Sequence, residues 1–399
     1  MKYDFTTIMD RRGKDSVAVD VIPMDGVEVK EGFSKIPMWV ADMNFATVPT
    51  ITEAIIERAK HPAFGYFRTP PEYYDSIIRW QKVRNGVEGL EAEHIGYENG
   101  VLGGVISAIQ AFTAPGEPVL LHSPTYVGFT GCIENNGRKI IHSDLVKDEN
   151  GVWRMDYEDM DTKIKKHKIH TVVFCSPHNP CGRVWERWEL EKAMEVYAAN
   201  DCVVISDEIW SDIIIGEKKH IPTQSVSEDA KNRTIAVYAP SKTFNLAGLV
   251  GSYHIIYSKY LRDRVMKQSG LSHYNDANVL SVHALIGAYK PEGEQWVDEL
   301  CETLAGNVNY AYNYIKEHFE GVDLFKPEGT YMLYMDCENW CKAHDKGIEE
   351  LIRAGMEVGV IWQDGRPFHR PYAIRMNLAV PHSLVIEAMD RLDKYVFNA

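Results

Sequence analysis

Two hydrophobic rhythms alternate along this chain. Residues 119–122, 171–175, 203–206 and 234–238 are short, almost unbroken apolar runs dominated by Val, Ile and Leu. Between them, apolar residues recur at three- and four-residue spacing, as over 188–199. A strand that shows no in-out alternation is buried on both faces, and the amphipathic helices between such strands are what cover it. The pattern therefore predicts an α/β fold built on a mainly parallel sheet. In that architecture ligands gather beyond the carboxyl ends of the strands.

The same rhythms predict helices over 50–59, behind Pro49, and over 71–83, stopped by Asn85 and Gly86. A strand over 95–99 runs through a glycine-bearing turn into an apolar helix, and a further strand covers 139–142. Beyond residue 291 come a long helix over 295–319, a strand over 329–335, a helix over 348–357 and a strand over 372–379, which together read as a smaller α+β unit. Residues 1–35 are polar and Gly/Asp-punctuated, an irregular arm, and 36–45 form an apolar crossing into the fold. The expected organisation is an arm and part of a small domain over 1–50, a large domain over 51–290, and a C-terminal small domain over 291–399.

Composition narrows the function classes. A chain of 399 residues with 45% hydrophobic and 25% charged residues is an ordinary globular protein too long for one small core. Its net charge of -14 argues against nucleic acid, whose phosphates require a basic face. The densest basic stretch, 163–168, reads as a solvated helix face. No apolar run approaches the length of a membrane span, and the acidic, aromatic start is unlike a secretory leader. A soluble cytoplasmic protein without a membrane partner is expected. Seven cysteines, an odd number, read as reduced structural thiols. Cys175, His178 and Cys181 lack a second matching pair, so no metal site is expected.

The candidate chemistry lies at strand ends. Lys242 follows the run 234–238 between Ser241 and Thr243, where a buried amine of lowered pKa can form a Schiff base. Asp207 ends another strand, and Asn179 sits in a Pro-flanked turn after a third. The turn before Val101 and Leu102 offers backbone amides at a helix start, a seat for a single phosphate. Pyridoxal phosphate requires this set: an amine for its aldehyde, a carboxylate for its ring nitrogen, an amide donor for its phenolic oxygen and an anion seat. Tyr126 could stack on its ring, and Ser241 could donate to the phosphate. Arg375, a guanidinium in an apolar strand, suits a substrate α-carboxylate, with a structural ion pair as the alternative.

The ordered motifs Asn179-Pro180-x-Gly182, Asp207-Glu208, Ser241-Lys242-Thr243-Phe244-Asn245-Leu246-Ala247-Gly248 and Arg375-x-Asn377-x-Ala379 resemble the fold type I, class I/II aminotransferase superfamily. With Met38-Trp39-Val40-Ala41-Asp42-Met43 and Phe64-Gly65-Tyr66, the chain is similar to the cystathionine β-lyase and cystalysin group of C–S lyases. The resemblance implies a seven-stranded type of sheet in the large domain. It implies a pyridoxal-phosphate enzyme acting on an L-amino acid, a C–S β-lyase releasing pyruvate and ammonia. An aminotransferase, a racemase or a regulatory binding protein of the same fold are the alternatives. It further implies a homodimer in which Tyr66 reaches the other subunit's cofactor phosphate, Lys242 as the base, Trp210 beside the cofactor, and Trp39, Tyr126 and Asn179 beside the substrate. Trp210 stands where this group usually has histidine, and Asn44 where it typically has an acid.

Overall fold

A computed structural model describes residues 1–271 and 276–398. Its centre is a seven-stranded sheet in the order Ile95–Asn99, Gly251–Ile255, Thr234–Tyr238, Val203–Asp207, Thr171–Cys175, Pro118–Ser123 and Lys139–Asp144. The last five run parallel to one another, whereas Gly251–Ile255 lies antiparallel to both of its neighbours. This antiparallel strand was not among those expected. It is short, opens on Gly251-Ser252 and carries Tyr253 and His254, so it lacks the aliphatic density that marks the parallel ones.

The apolar runs fail to alternate because the sheet is covered twice. On one face Val173, Ile205, Ile235 and Val237 pack with Val101, Val105 and Ile109 of the helix Val101–Phe112. On the other, Val172, Phe174 and Val204 meet Met160, Ile164, Leu190 and Met194 from two further helices. Each fully buried side chain of this size contributes roughly 1.5–3 kcal/mol of transfer free energy, which holds the strand ends, and the loops leaving them, in fixed register.

A second, four-stranded antiparallel sheet joins Asp323–Leu324, Met332–Asp336, Ala373–Asn377 and Gln363–Asp364. The long helix Pro291–His318 covers it with Trp296, Leu300, Leu304, Val308, Ala311 and Ile315, a stripe at helical spacing. Its second strand begins at Met332 instead of the expected residue 329. The amides of Glu328 and Gly329 are taken by the Gly182 carbonyl and that of Thr330 by the Ile213 carbonyl, so these residues lace the two sheets together instead of extending a ladder.

The apolar crossing pairs Ile36 and Pro37 in parallel with Val360 and Ile361, which ties the N-terminal arm to the C-terminal unit. One turn of helix, Val17–Asp20, interrupts the otherwise irregular arm. All seven cysteines are free, and six of them are buried. Among the described residues no cluster of His, Cys, Asp and Glu could hold a metal ion, and no helix is long and apolar enough to cross a membrane.

Candidate active site

Three neighbouring parallel strands end at one cavity of about 240 Å³. Thr171–Cys175 delivers Cys175 and, a turn later, Asn179. Val203–Asp207 delivers Asp207, opposite Cys175 in the ladder, and then Trp210. Thr234–Tyr238 runs through extended Ala239 into the single helical turn Pro240–Thr243, which brings Ser241 and Lys242 to the same wall. Tyr126, which precedes the helix Val127–Glu134, closes another side.

Lys242 donates from Nζ to the Ala41 carbonyl at 3.1 Å. Burial lowers its pKa to about 8, with the Arg375 charge acting in the same direction and Asp207 and Asp42 opposing it. Asp207 is buried. Its Oδ1 accepts from the Ile209 amide at 3.0 Å. Desolvation raises its pKa to about 7 despite that bond and the Lys242 charge. A carboxylate left this poorly compensated is one that a cationic partner would ionise. The protonated nitrogen of a pyridine ring is such a partner.

The phosphate seat is a matter of backbone. Gly100 takes φ +76°, a conformation open to glycine, and its carbonyl accepts from the amides of both Gly103 and Gly104. Helical bonding thus begins at Gly103, and the Val101 and Leu102 amides at the cavity lie ahead of it, free to meet an anion. The Ser241 hydroxyl shares that wall. An amine of lowered pKa, an undercompensated carboxylate and an anion seat around one cavity fit pyridoxal phosphate.

Arg375 is buried, and every acceptor around it is neutral. It donates to Asn179 Oδ1 at 3.0 Å, to the Trp39 carbonyl at 3.4 Å and to Gln363 Oε1. Its guanidinium lies 4.6 Å from the Phe368 ring centre, and its Nε has no partner. Burial lowers its pKa to about 10. By accepting from Arg375, the Asn179 oxygen commits one end of that amide and leaves its NH₂ end to donate elsewhere.

Other expected positions lie differently. The Trp39 indole donates to the Ala18 carbonyl at 3.1 Å, so this residue meets the Arg375 cluster through its main-chain oxygen alone. Trp210 is buried, edge-on to Tyr331 with ring centres 4.8 Å apart. Tyr66 stands fully exposed in the segment 61–68, which is exposed throughout and carries Phe64 and Phe67 beside it. Asn44 is buried with its Oδ1 unpartnered. Sequence reasoning missed the Ala41 carbonyl and Gln363, because a main-chain acceptor and a neutral amide leave no compositional signal. Asn245 did carry one. It exchanges two bonds with the Met43 main chain, at 3.0 and 2.8 Å, and so clamps the crossing that bears Ala41 against the Lys242 turn.

The family model for aminotransferases of class I and II matches residues 34–392. The chain belongs to this family. Among curated relatives it is 36% identical over 301 residues to cystathionine β-lyase PatB of Bacillus subtilis, covering 75% of this chain and 77% of that one. Among solved structures it superposes on cystalysin of Treponema denticola, a protein containing pyridoxal 5'-phosphate, with a TM-score of 0.91 at 30% identity over 99% of both chains. It also matches the pyridoxal-phosphate-bound C–S lyase of Staphylococcus hominis, with a TM-score of 0.88 at 30% identity over 98% of both chains.

Proposed function

We propose that this family member is a pyridoxal-phosphate-dependent C–S β-lyase that takes an L-amino acid with a β-carbon thioether, cystathionine or a cysteine conjugate, to a thiol, pyruvate and ammonia. The observation that carries the reading is the juxtaposition of the Lys242 amine and the Asp207 carboxylate across one cavity, beside a buried arginine that lacks an acid. When bound, pyridoxal phosphate supplies an aldehyde that takes up an amine and a protonated ring that withdraws electrons from the α-carbon.

The side chains then have separate tasks. Arg375 offers its unpartnered Nε and its Nη2 to the substrate carboxylate, while Nη1 stays on Asn179 Oδ1. Asp207 keeps a proton on the nitrogen it faces. The Val101 and Leu102 amides and Ser241 hold the phosphate, and the Asn179 NH₂ holds the phenolic oxygen. Tyr126 and Trp210 supply the apolar walls. Lys242 Nζ, which donates to the Ala41 carbonyl in this structure, would be freed when the substrate's amine takes its place on the aldehyde and would then remove the α-proton. Burial and the Arg375 charge, which lower its pKa to about 8 in this structure, favour the free base. The lyase reading draws on the named activity of PatB and of the staphylococcal enzyme. Transamination is the second reading, favoured by the family model itself, because the same Lys242 could return the proton to the cofactor side instead.

The domain scheme belongs to this proposal, with the cofactor held by residues 51–290 and the arm and residues 291–399 supplying the Trp39 carbonyl and Arg375. So does a cytoplasmic homodimer in which Tyr66 of one subunit serves the other's phosphate. The exposed aromatic segment 61–68 supports such a contact. Light scattering that gives a monomer mass would remove it. The decisive assay is pyruvate release from L-cystathionine with no keto acid added. Turnover that appears only with a keto acid would assign the enzyme to transamination.

A further inference from the structure

Asp207 and Lys242 reach the cavity from different strands, yet proton transfer tolerates little error in where the amine sits. The turn that carries Lys242 is four residues long, too short to hold its own shape. We propose that Asp212 is a positioning residue: through the Thr243 hydroxyl it ties the loop that follows Asp207 to the Lys242 turn, and so fixes the Lys242 nitrogen in the cavity.

Asp212 lies five residues after Asp207 on the same loop and is buried. Thr243, itself fully buried and adjacent to Lys242, donates from Oγ1 to Asp212 Oδ2 at 2.9 Å. Trp80 Nε1 donates to the same carboxylate, 3.1 Å from Oδ1 and 3.3 Å from Oδ2, and Arg84 Nε stands 3.8 Å from Oδ1. A bond to a carboxylate is about twice as strong as one between neutral groups, so this is the firmest single hold on Thr243. The other ties on the turn end on neutral acceptors or are packing: Lys242 Nζ on the Ala41 carbonyl, the Leu246 amide on the Ser241 carbonyl, the Asn245–Met43 exchange, and Phe244 against Trp296 and Trp80, with ring centres 5.4 and 5.8 Å away. Asp212 therefore makes one rigid unit of the two loops whose side chains must act together.

The proposal rests on Lys242 carrying the proton, and its test includes a readout that needs no cofactor. In cofactor-free protein, the pH dependence of amine labelling at Lys242, read by peptide mass spectrometry, gives the lysine's titration midpoint. The charges that face its nitrogen are Arg375, Asp207 and Asp42, and none of them is altered in the variants used.

Thr243→Val should move the midpoint from about 8 toward the ordinary lysine value, by roughly one unit, as the amine loosens into water. Thr243→Ser, which keeps the hydroxyl, should restore it. Trp80→Phe keeps an aromatic ring against Phe244 but removes the other hydrogen bond to Asp212, and should lower the melting temperature while leaving the midpoint in place. In the loaded enzyme, Thr243→Val should lower kcat about ten- to a hundredfold with KM for the amino acid nearly unchanged. An unmoved midpoint in Thr243→Val overturns the proposal, as does a Trp80→Phe midpoint that moves as far. Should Lys242 prove dispensable for turnover, the functional reading fails, and the labelling series still decides whether the tether exists.

Discussion

Adjacent residues at the end of one strand meet opposite fates. Glu208 is fully buried and fully partnered, accepting from Ser206 Oγ, the Thr223 amide and Tyr238 Oη and bonding His220 Nε2 at 2.8 Å. These contacts, led by His220, outweigh desolvation and hold its pKa below the usual glutamate value. Asp207, one residue earlier, has the Ile209 amide and a pKa raised to about 7. The two buried arginines repeat the contrast. Arg183 is clamped by Glu189 and Glu328, whereas Arg375 faces only neutral acceptors. Glu208 and Arg183 find their partners within the chain. At the cavity the charges are left for something else to match, and stability is given up there for binding.

The largest expected effect comes from removing the cavity's own base. Lys242→Ala should cut pyruvate release by about 10³-fold or more and abolish the cofactor's visible absorbance, with the fold intact by circular dichroism. Retention of activity within tenfold of wild type would dissolve the contrast between the two regions. Next come the arginines. Arg183→Ala takes from buried Glu189 one of its two arginines, leaving Arg154, and should cost about 1.5–3 kcal/mol of stability in denaturant titrations. Arg375→Ala should raise KM for the amino acid by about tenfold or more, the worth of a charged hydrogen bond, and leave stability nearly unchanged. If the two variants exchange these behaviours, Arg375 is structural.

The carboxylates separate in the same way. Glu208→Gln should lower stability by about 1.5–3 kcal/mol with kcat little changed. Asp207→Asn should lower kcat and leave the melting temperature the same or higher, since a neutral amide suits that site better than a poorly compensated carboxylate.

The smallest effect is on pH dependence in cofactor-free protein. A carboxyl with a raised pKa binds a proton in the folded state that the unfolded chain has lost, so the Asp207 contribution to stability falls as pH rises from about 4 to 7. A lysine with a lowered pKa does the reverse, and its contribution grows as pH rises from about 8 toward 10.5. Melting curves across pH should lose the first slope in Asp207→Asn and the second in Lys242→Ala. Cofactor binding should flatten both, since it gives each group a partner.

The covered sheet, its parallel core and the loops that meet at the cavity were legible in the sequence, because burial on both faces forces continuous apolar runs and the fold gathers such loops at one end of them. Lys242, Asp207, Asn179, Val101 and Leu102 could be named for the same reason: each follows such a run or the glycine turn. The strand Gly251–Ile255 could not, since its place between Ile95–Asn99 and Thr234–Tyr238 comes from partners far along the chain. Nor could the difference between Arg375 and Arg183, or between Asp207 and its neighbour. A side chain's identity is written in the sequence, but whether its charge finds a match depends on which distant acceptors folding brings to it. Gln363 and the Trp39 carbonyl for Arg375, and Ala41 for Lys242, are near in space alone.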